Sequence, residues 1–150
     1  MLRTDHYPFC WGCSLGGNGL NFDWALDGET LAATYVVPEH FQGPPGMAHG
    51  GVVAALLDEA CGQVARPALS PAVTSRLEVR YLAPVPVEEP LRISAELVEL
   101  DERRGVAEGT IQDGSGLVVA HARAECVRVR PEHFLQTPRG RARGLDWLPS

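Results

Sequence analysis

The sequence lacks two features that would point to a membrane or to nucleic acid. No apolar run approaches the roughly 18 residues that a membrane-spanning helix needs. Basic residues are in the minority, since 13 Lys and Arg stand against 19 Asp and Glu and the formal net charge is -6 at pH 7. A general nucleic-acid-binding protein needs a basic surface to meet the phosphate backbone. We therefore expect neither nucleic acid nor a membrane as a partner.

Cysteines are also scarce, with four in 150 residues, which is too few for a small fold held by disulfides. Free thiols are therefore expected. Residues 1–6 show no basic start followed by an apolar core and a small-residue cleavage site, so no signal peptide is predicted. The sequence-based expectation is a cytoplasmic protein.

The composition is that of one globular domain. Apolar residues make up 45% and charged residues 21% of the 150 residues, and a chain of this length can bury about two-thirds of its unfolded surface in one core. Proline, glycine and arginine crowd the C-terminal segment. We expect a domain over residues 1–130 and a loosely packed tail over residues 131–150.

The hydrophobic periodicity predicts an α+β fold. Helical spacing covers about residues 50–65, and Pro67 is expected to end that helix. Apolar and polar residues alternate in six other segments, which predict strands: 20–26, 30–37, 73–81, 91–100, 105–112 and 117–129. In the strand over 73–81, the alternation places Leu77 on one face and Thr74 on the other. This order of elements, with short connections, predicts an antiparallel sheet of five to six strands wrapped around one long helix.

One face of the predicted helix is unusual for a solvated surface. The apolar stripe should pack on the sheet; it comprises Val53, Leu56, Leu57, Ala60 and Val64. Asp58 lies on another side, roughly 140° from Val53 on a helical wheel, and its neighbours there are small: Gly51, Ala54, Ala55, Gly62 and Ala65. Small residues permit close approach, so a second helix, a backbone or a ligand could lie against Asp58.

The start of the helix offers a second chemical feature. His49 is followed by Gly50 and Gly51, where glycines let a ligand approach the free N–H groups at the positive end of the helix dipole. Such a helix start can polarise a carbonyl or stabilise an oxyanion. Gly51 and Asp58 are separated by about 10 Å along one helix. If both act on one substrate, two copies of the helix must contribute, and a site shared between subunits is expected.

These residues resemble the signature of hotdog-fold acyl-CoA thioesterases, specifically the PaaI-like branch named for phenylacetyl-CoA thioesterase. The resemblance is carried by segment 41–60, with His-Gly-Gly at 49–51 and Asp58 nine positions after the histidine. The motifs at 10–13 and 18–20 are similar to the N-terminal motif of the same branch. The likeness covers about residues 9–128. It implies a hotdog fold and hydrolysis of an acyl-CoA to free acid and CoA by a homodimer or homotetramer, without a cofactor.

The resemblance also implies roles for individual residues. Asp58 would be the general base or the nucleophile, and Gly51, with Gly50 beside it, would polarise the thioester carbonyl. Other expected contacts to substrate or water come from His49, Asn18, Gly50 and Gln42, and the Thr74 hydroxyl would help to orient the attacking water. The CoA phosphates would lie on basic side chains, for which the sequence leaves six arginines open: Arg76, Arg80, Arg103, Arg104, Arg123 and Arg128.

Two alternative functions and one metal site also have some support in the sequence. The loop over 40–47 also resembles the His-Phe-Pro-Gly loop of β-hydroxyacyl carrier protein dehydratases, but Ala54 stands where those enzymes carry a glutamate. A non-catalytic acyl-CoA-binding hotdog protein is the other alternative. Cys10 and Cys13 have the spacing of zinc ligands, with His6 four residues earlier, but no second ligand pair follows in the sequence. No metal is therefore expected.

Overall fold

The computed structural model describes residues 9–148. The predicted absence of a signal peptide and the placing of His6 lie outside the described residues. The main elements are these, in chain order: β1 (Ala25–Asp27), β2 (Thr30–Val36), α1 (Gly50–Leu69), β3 (Ala72–Tyr81), β4 (Pro90–Leu100), β5 (Arg104–Gln112), β6 (Val118–Arg128) and α2 (Pro138–Arg143). Two short 3₁₀ helices cover Glu39–Phe41 and Pro131–Leu135.

The strands form one antiparallel sheet in the order β1-β2-β4-β5-β6-β3. This sheet curves around α1, which contacts β2, β3, β4, β5 and β6. The predicted α+β architecture, an antiparallel sheet around one long helix, is confirmed. β1 and β3 are the two edges of the sheet. The side of β3 that faces α1 lies along the helix.

The core lies between α1 and the concave face of the sheet. The apolar stripe predicted on the helix is buried throughout: Val53, Leu56, Leu57, Ala60 and Val64. Glycine at position 109 of β5 lets the helix come close, because a Cβ there would lie 3.0 Å from Cys61 Sγ and 3.2 Å from Leu57 Cδ2. Close packing of this kind is what fixes the helix against the sheet.

The first predicted strand is wrong in extent. Leu20, Phe22 and Trp24 are buried as the alternation suggested, but β1 begins only at Ala25. The reason is where the backbone hydrogen bonds go: Leu20 N–H donates to Trp11 O and Phe22 N–H to Gly12 O, each at 2.9 Å, so this segment pairs with the N-terminal loop.

The helix is longer than predicted, because α1 continues through Pro67 to Leu69. Proline removes one hydrogen bond from the helix, but Leu69 is fully buried against Ala65 and Cys126. Burying a leucine side chain contributes about 2 kcal/mol, which offsets the missing bond and extends the helix by one turn. Within residues 9–148, no helix is both long and apolar enough to cross a membrane.

A β-bulge in β3 changes which side chains face the helix. Thr74 pairs with Cys126 of β6 and Leu77 with Ala124, so two residues of β3 stand opposite one residue of β6 between these pairs. The extra residue, Ser75, shifts the alternation by one. The predicted placing of Thr74 and Leu77 on opposite faces is therefore wrong, and both face α1.

The C-terminal segment folds back toward the N-terminal residues. The Phe134 and Trp147 rings pack edge to face with centroids 5.3 Å apart, and the Arg143 guanidinium lies 3.8 Å from the centroid of the Phe9 ring. The boundary at residue 130 stays a prediction.

Candidate active site

The centre of the site is a hydrogen bond between the helix and the edge strand. Thr74 Oγ1 on β3 donates to Asp58 Oδ1 on α1 at 2.8 Å. The contact exists because the bulge at Ser75 turns Thr74 toward the helix. Two residues that the sequence analysis selected separately are thus brought together, and one carboxylate oxygen of Asp58 is held in a fixed orientation.

Asp58 and Thr74 line a groove of about 410 Å³ on the outer side of α1. Gly62 lies on its floor, and a Cβ added there would meet no atom within 4 Å. Arg66, one helical turn further along, adds a basic side chain to the same groove. The small face predicted around Asp58 is therefore open at Gly62, whereas Ala65 is fully buried within the chain.

The start of α1 carries the expected His-Gly-Gly arrangement, with one difference in its hydrogen bonds. His49 is the N-cap residue, and its Nδ1 accepts from the Gly51 N–H at 2.9 Å. The N–H that the resemblance assigns to the thioester carbonyl is therefore engaged by a side chain. The Gly50 N–H has no acceptor among residues 9–148, so it is the donor open to a ligand.

Tyr81 supports the helix start from the end of β3. Its Oη donates to Gly50 O at 2.8 Å, which ties the first residue of α1 to the edge strand. The sequence analysis missed this residue. The alternation of β3 could have indicated it, because this alternation places Tyr81 on the same face as Leu77.

Gln42 and Asn18 lie away from the carboxylate. Gln42 Oε1 accepts from the Gly46 N–H at 3.1 Å, so its side chain shapes the loop that leads to His49. Asn18 lines a different groove, of about 660 Å³, together with Tyr35 and Phe41. Within one chain, the predicted site residues are thus spread over three places: the middle of α1, its start, and the groove at Asn18.

Beside Asp58 lies a polar cluster that the sequence analysis did not assign. Gln63 Nε2 donates to Glu59 Oε1 at 2.6 Å, and Cys10 Sγ donates to Glu59 Oε2 at 3.7 Å. The pKa of the Cys13 thiol is raised far above its ordinary value by its hydrogen bond with Cys10, by burial and by the nearby Glu59 charge. The sequence does hold a signal for this cluster. Glu59 and Gln63 are four residues apart and therefore lie on the same side of the helix.

The three buried thiols are not activated as nucleophiles. None of the four cysteines, Cys10, Cys13, Cys61 and Cys126, is in a disulfide, which confirms the expectation from their small number. Burial, followed by the negative charges near it, raises the pKa of Cys61 to about 12, and burial likewise raises the pKa of Cys126. A nucleophilic cysteine needs a lowered pKa, so Cys13, Cys61 and Cys126 do not have the property of one.

Comparison with known proteins places this geometry in a family. Residues 45–120 match the family model of the thioesterase superfamily. Acyl-coenzyme A thioesterase THEM4 of Mus musculus is 29% identical over 94 residues, which are 62% of this chain and 40% of the mouse protein. The chain thus spans well under half the length of this relative.

Solved structures share the fold. Protein BH2602 of Bacillus halodurans, whose structure contains CoA, is 28% identical with a TM-score of 0.65, covering 74% of this chain and 76% of that protein. The PaaI protein of the E. coli phenylacetic acid degradation operon is 22% identical with a TM-score of 0.69, covering 74% of this chain and 81% of that protein, and shares the hotdog fold. The chain belongs to the thioesterase superfamily, and the resemblance to its PaaI-like hotdog proteins is confirmed.

Proposed function

We propose that this protein hydrolyses an acyl-CoA thioester to the free acid and CoA. The observation that carries the proposal is the Asp58 carboxylate, held by Thr74 at 2.8 Å and facing an open groove. Family membership supports the reaction type. The name of the mouse relative and the CoA in the Bacillus halodurans structure support the substrate class.

Asp58 would act through the carboxylate oxygen that Thr74 leaves available. Oδ1 accepts from Thr74, and no donor among residues 9–148 contacts Oδ2. As a general base, Oδ2 takes a proton from water while the water oxygen adds to the thioester carbonyl. The tetrahedral intermediate then expels the CoA thiolate, which takes up a proton. As a nucleophile, Oδ2 itself adds to the carbonyl, the C–S bond breaks, and the CoA thiolate leaves and takes up a proton. Water then hydrolyses the resulting anhydride to the free acid and the regenerated carboxylate.

Single turnover in ¹⁸O-labelled water separates these two routes. Attack by Asp58, followed by cleavage of the anhydride by water at the aspartyl carbon, places one label in the carboxylate of the enzyme during the first turnover. General-base catalysis places the label only in the released acid. Mass spectrometry of the peptide that contains Asp58 reads the difference directly.

The oxyanion would form against the start of an α1 helix. The Gly50 N–H is open to a ligand, and the helix dipole adds positive potential at this position. Gly51 lies about 10 Å along the axis from Asp58, so the helix start would come from a second copy of the chain. A homodimer, or a homotetramer built from dimers, therefore belongs to the proposal.

CoA phosphates would bind basic side chains that are not already paired. Arg104 and Arg123 are held by Glu99, Glu125 and Glu108. Arg128 donates to the backbone oxygens of Glu102 and Ala68, and Arg76 pairs with Glu78 at 3.6 Å. Arg80 and Arg103 make no side-chain ion pair or hydrogen bond among residues 9–148, and we propose these two as the phosphate ligands.

The test is release of the CoA thiol from phenylacetyl-, benzoyl- and hexanoyl-CoA by wild type and by Asp58→Asn. The expected result is turnover that Asp58→Asn lowers by about 100-fold or more. The matched control is Asp27→Asn, which neutralises an exposed hairpin carboxylate and should leave turnover unchanged.

Two outcomes contradict the proposal. Equal turnover by wild type and Asp58→Asn removes Asp58 from the reaction. No turnover on any thioester, together with saturable CoA binding, makes this protein a non-catalytic acyl-CoA-binding module.

A further inference from the structure

Three side chains with metal-binding atoms meet beside the groove. Cys10 and Cys13 come from the N-terminal loop and Glu59 from α1, and one sulfur or oxygen atom of each lies within 4.8 Å of the other two. Cys13 is only 2% exposed. Two thiols and a carboxylate, one of them buried and two partly buried, form a donor set suited to a cation.

The loop backbone is fitted closely around the carboxylate. A Cβ at Gly12, between the two cysteines, would lie 2.2 Å from Glu59 Oε2, so a larger residue there would displace the Glu59 carboxylate from its present position. Glu59 Oε2 is also the oxygen nearest to Cys10 Sγ, at 3.7 Å. The loop therefore presents both of its sulfur atoms to one carboxylate oxygen.

Gln63 adds a fourth polar group from the next turn of α1. The side chain is 2% exposed, and its Nε2 lies 2.6 Å from Glu59 Oε1 and 3.8 Å from Cys13 Sγ. Its Oε1 is buried and has no hydrogen-bond partner among the described residues. A buried amide oxygen without a donor is costly, and rotation of the amide would turn this oxygen toward the cluster in exchange for the present hydrogen bond to Glu59 Oε1.

The spacing of these atoms matches the edges of a tetrahedral site. Zinc binds sulfur at about 2.3 Å and oxygen at about 2.1 Å, so neighbouring sulfur and oxygen ligands of a tetrahedral zinc lie about 3.6 Å apart. The observed separation between Cys10 Sγ and Glu59 Oε2 is 3.7 Å, and the three donor atoms of Cys10, Cys13 and Glu59 all lie within 4.8 Å of one another. The separation of Cys10 Sγ and Glu59 Oε2 is therefore close to that of two ligands of one tetrahedral zinc.

We propose that Cys10, Cys13 and Glu59 bind one Zn²⁺ ion, with the Gln63 amide oxygen as the fourth donor. Thiolate ligands favour zinc over Mg²⁺ and Ca²⁺, which prefer all-oxygen sites. Each thiol loses its proton to the solvent on binding. The sequence analysis expected no metal because no second ligand pair follows Cys13, and the fold supplies that pair from α1.

The ion would fasten the N-terminal loop to the helix beside the candidate active site. The loop carbonyls of Trp11 and Gly12 accept from Leu20 and Phe22, whose side chains are in the core. Glu59 follows Asp58 directly, but Asp58 bonds to Thr74 on β3 and is not a ligand. Cys10, Glu59 and Gln63 line the same groove as Asp58, so the ion would be a structural neighbour of the candidate active site and not a participant in hydrolysis.

Cobalt titration of the full-length, metal-free protein under reducing conditions tests the site. Co²⁺ is the probe, because thiolate ligands give it a charge-transfer band and a tetrahedral site gives it strong visible bands. The expected result is saturation at one Co²⁺ per chain with both features, followed by displacement with Zn²⁺. Bound Zn²⁺ should also raise the thermal unfolding midpoint by several degrees.

Matched variants assign the ligands. Cys13→Ser and Glu59→Gln should each weaken Co²⁺ binding by about 100-fold or more, and Cys10→Ser, at a half-exposed position, gives the same test should Cys13→Ser not fold. Cys61→Ala removes a buried thiol outside the cluster and should leave the titration unchanged. Asp58→Asn should bind Co²⁺ normally even where hydrolysis is lost, which separates this site from the proposed function.

Three results overturn the zinc site. The first is a wild-type protein that gives no thiolate band with Co²⁺, and the second is a stoichiometry far below one ion per chain. The third is an equal loss of Co²⁺ binding in Cys61→Ala and Cys13→Ser.

Discussion

The hydroxyl of Thr74 is the smallest feature on which the proposed reaction depends. It donates to Asp58 Oδ1 at 2.8 Å and so acts as a positioning residue for the carboxylate. Thr74→Val keeps the shape and removes the donor, and we expect kcat/KM for the best thioester to fall about 10-fold with little change in KM. Thr74→Ser keeps a hydroxyl and should retain most of the activity. Equal activity of the valine and serine variants would contradict this role.

The buried thiol of Cys61 makes stability depend on alkaline pH. Burial raises its pKa from an ordinary value of 9.0 to about 12 in the folded protein. The folded state therefore holds this proton more tightly than the unfolded state does. Its contribution to stability is complete below the unfolded pKa and is lost as pH rises from about 9 toward about 12.

Urea unfolding measured from neutral to alkaline pH checks this dependence. The wild-type free energy of unfolding should fall more steeply with rising pH than that of Cys61→Ala, which lacks the thiol. Parallel curves for the two proteins would show that Cys61 does not cause the fall.

Sequence spacing was sufficient to select single residues of the site, but it was insufficient to predict which residues are in contact. Asp58 and His49 could be selected from the sequence because a helix has a fixed period. Asp58 follows His49 by nine positions, which places His49 at the helix start and Asp58 on the face of small residues. The bond from Thr74 to Asp58 required the bulge at Ser75, which an uninterrupted alternation conceals. Glu59 and Gln63 were missed because their partners, Cys10 and Cys13, lie about 50 residues away in sequence.

Gly62 lowers the stability of α1 and leaves the groove beside Asp58 open. It lies in the helix interior, and an added Cβ would meet nothing within 4 Å. Gly62→Ala should therefore raise the free energy of unfolding by about 1 kcal/mol, because alanine has the higher helix propensity. Urea unfolding measures the change. A lower stability would mean that the Gly62 face is already covered, for instance by a second copy of the chain.

The start of α1 allows one backbone N–H to be removed without loss of the helix. Gly50 is the first helical residue, where proline is well tolerated, and His49 before it has the extended backbone that precedes proline. Gly50→Pro deletes the open N–H, whereas Gly50→Ala retains it. We expect kcat to fall about 100-fold in the proline variant and to change little in the alanine variant. Similar losses in both would assign the effect to bulk at this position and not to the N–H.

The two errors in the bounds of elements had different physical causes. Alternation over 20–26 reported burial correctly, but the backbone of this segment bonds to the N-terminal loop and not to a strand. Pro67 was expected to end the helix by its local effect, and the burial of Leu69 outweighed that effect. Local rules therefore located the elements and misplaced some of their ends, where contacts distant in sequence decide.

For the whole molecule, the order of elements was enough to predict the architecture. Two strands, a helix and four strands with short connections leave an antiparallel sheet around the helix as the simplest arrangement. Assembly cannot be derived in the same way, because it depends on surfaces of two copies. An assembly of two copies is inferred instead from the separation of about 10 Å between Gly51 and Asp58 along one rigid helix. The cytoplasmic location stays a prediction.

The most direct test of a site built from Asp58 of one copy and the Gly50 N–H of another is subunit mixing. Asp58→Asn and Gly50→Pro proteins, each nearly inactive alone, are unfolded together in urea and refolded as a mixture. Half of the resulting dimers should be mixed, and each mixed dimer regains one intact site. The mixture should thus recover about a quarter of the wild-type thioesterase activity. A mixture no more active than the sum of the two variants alone, despite subunit exchange demonstrated by native mass spectrometry, would contradict the shared site.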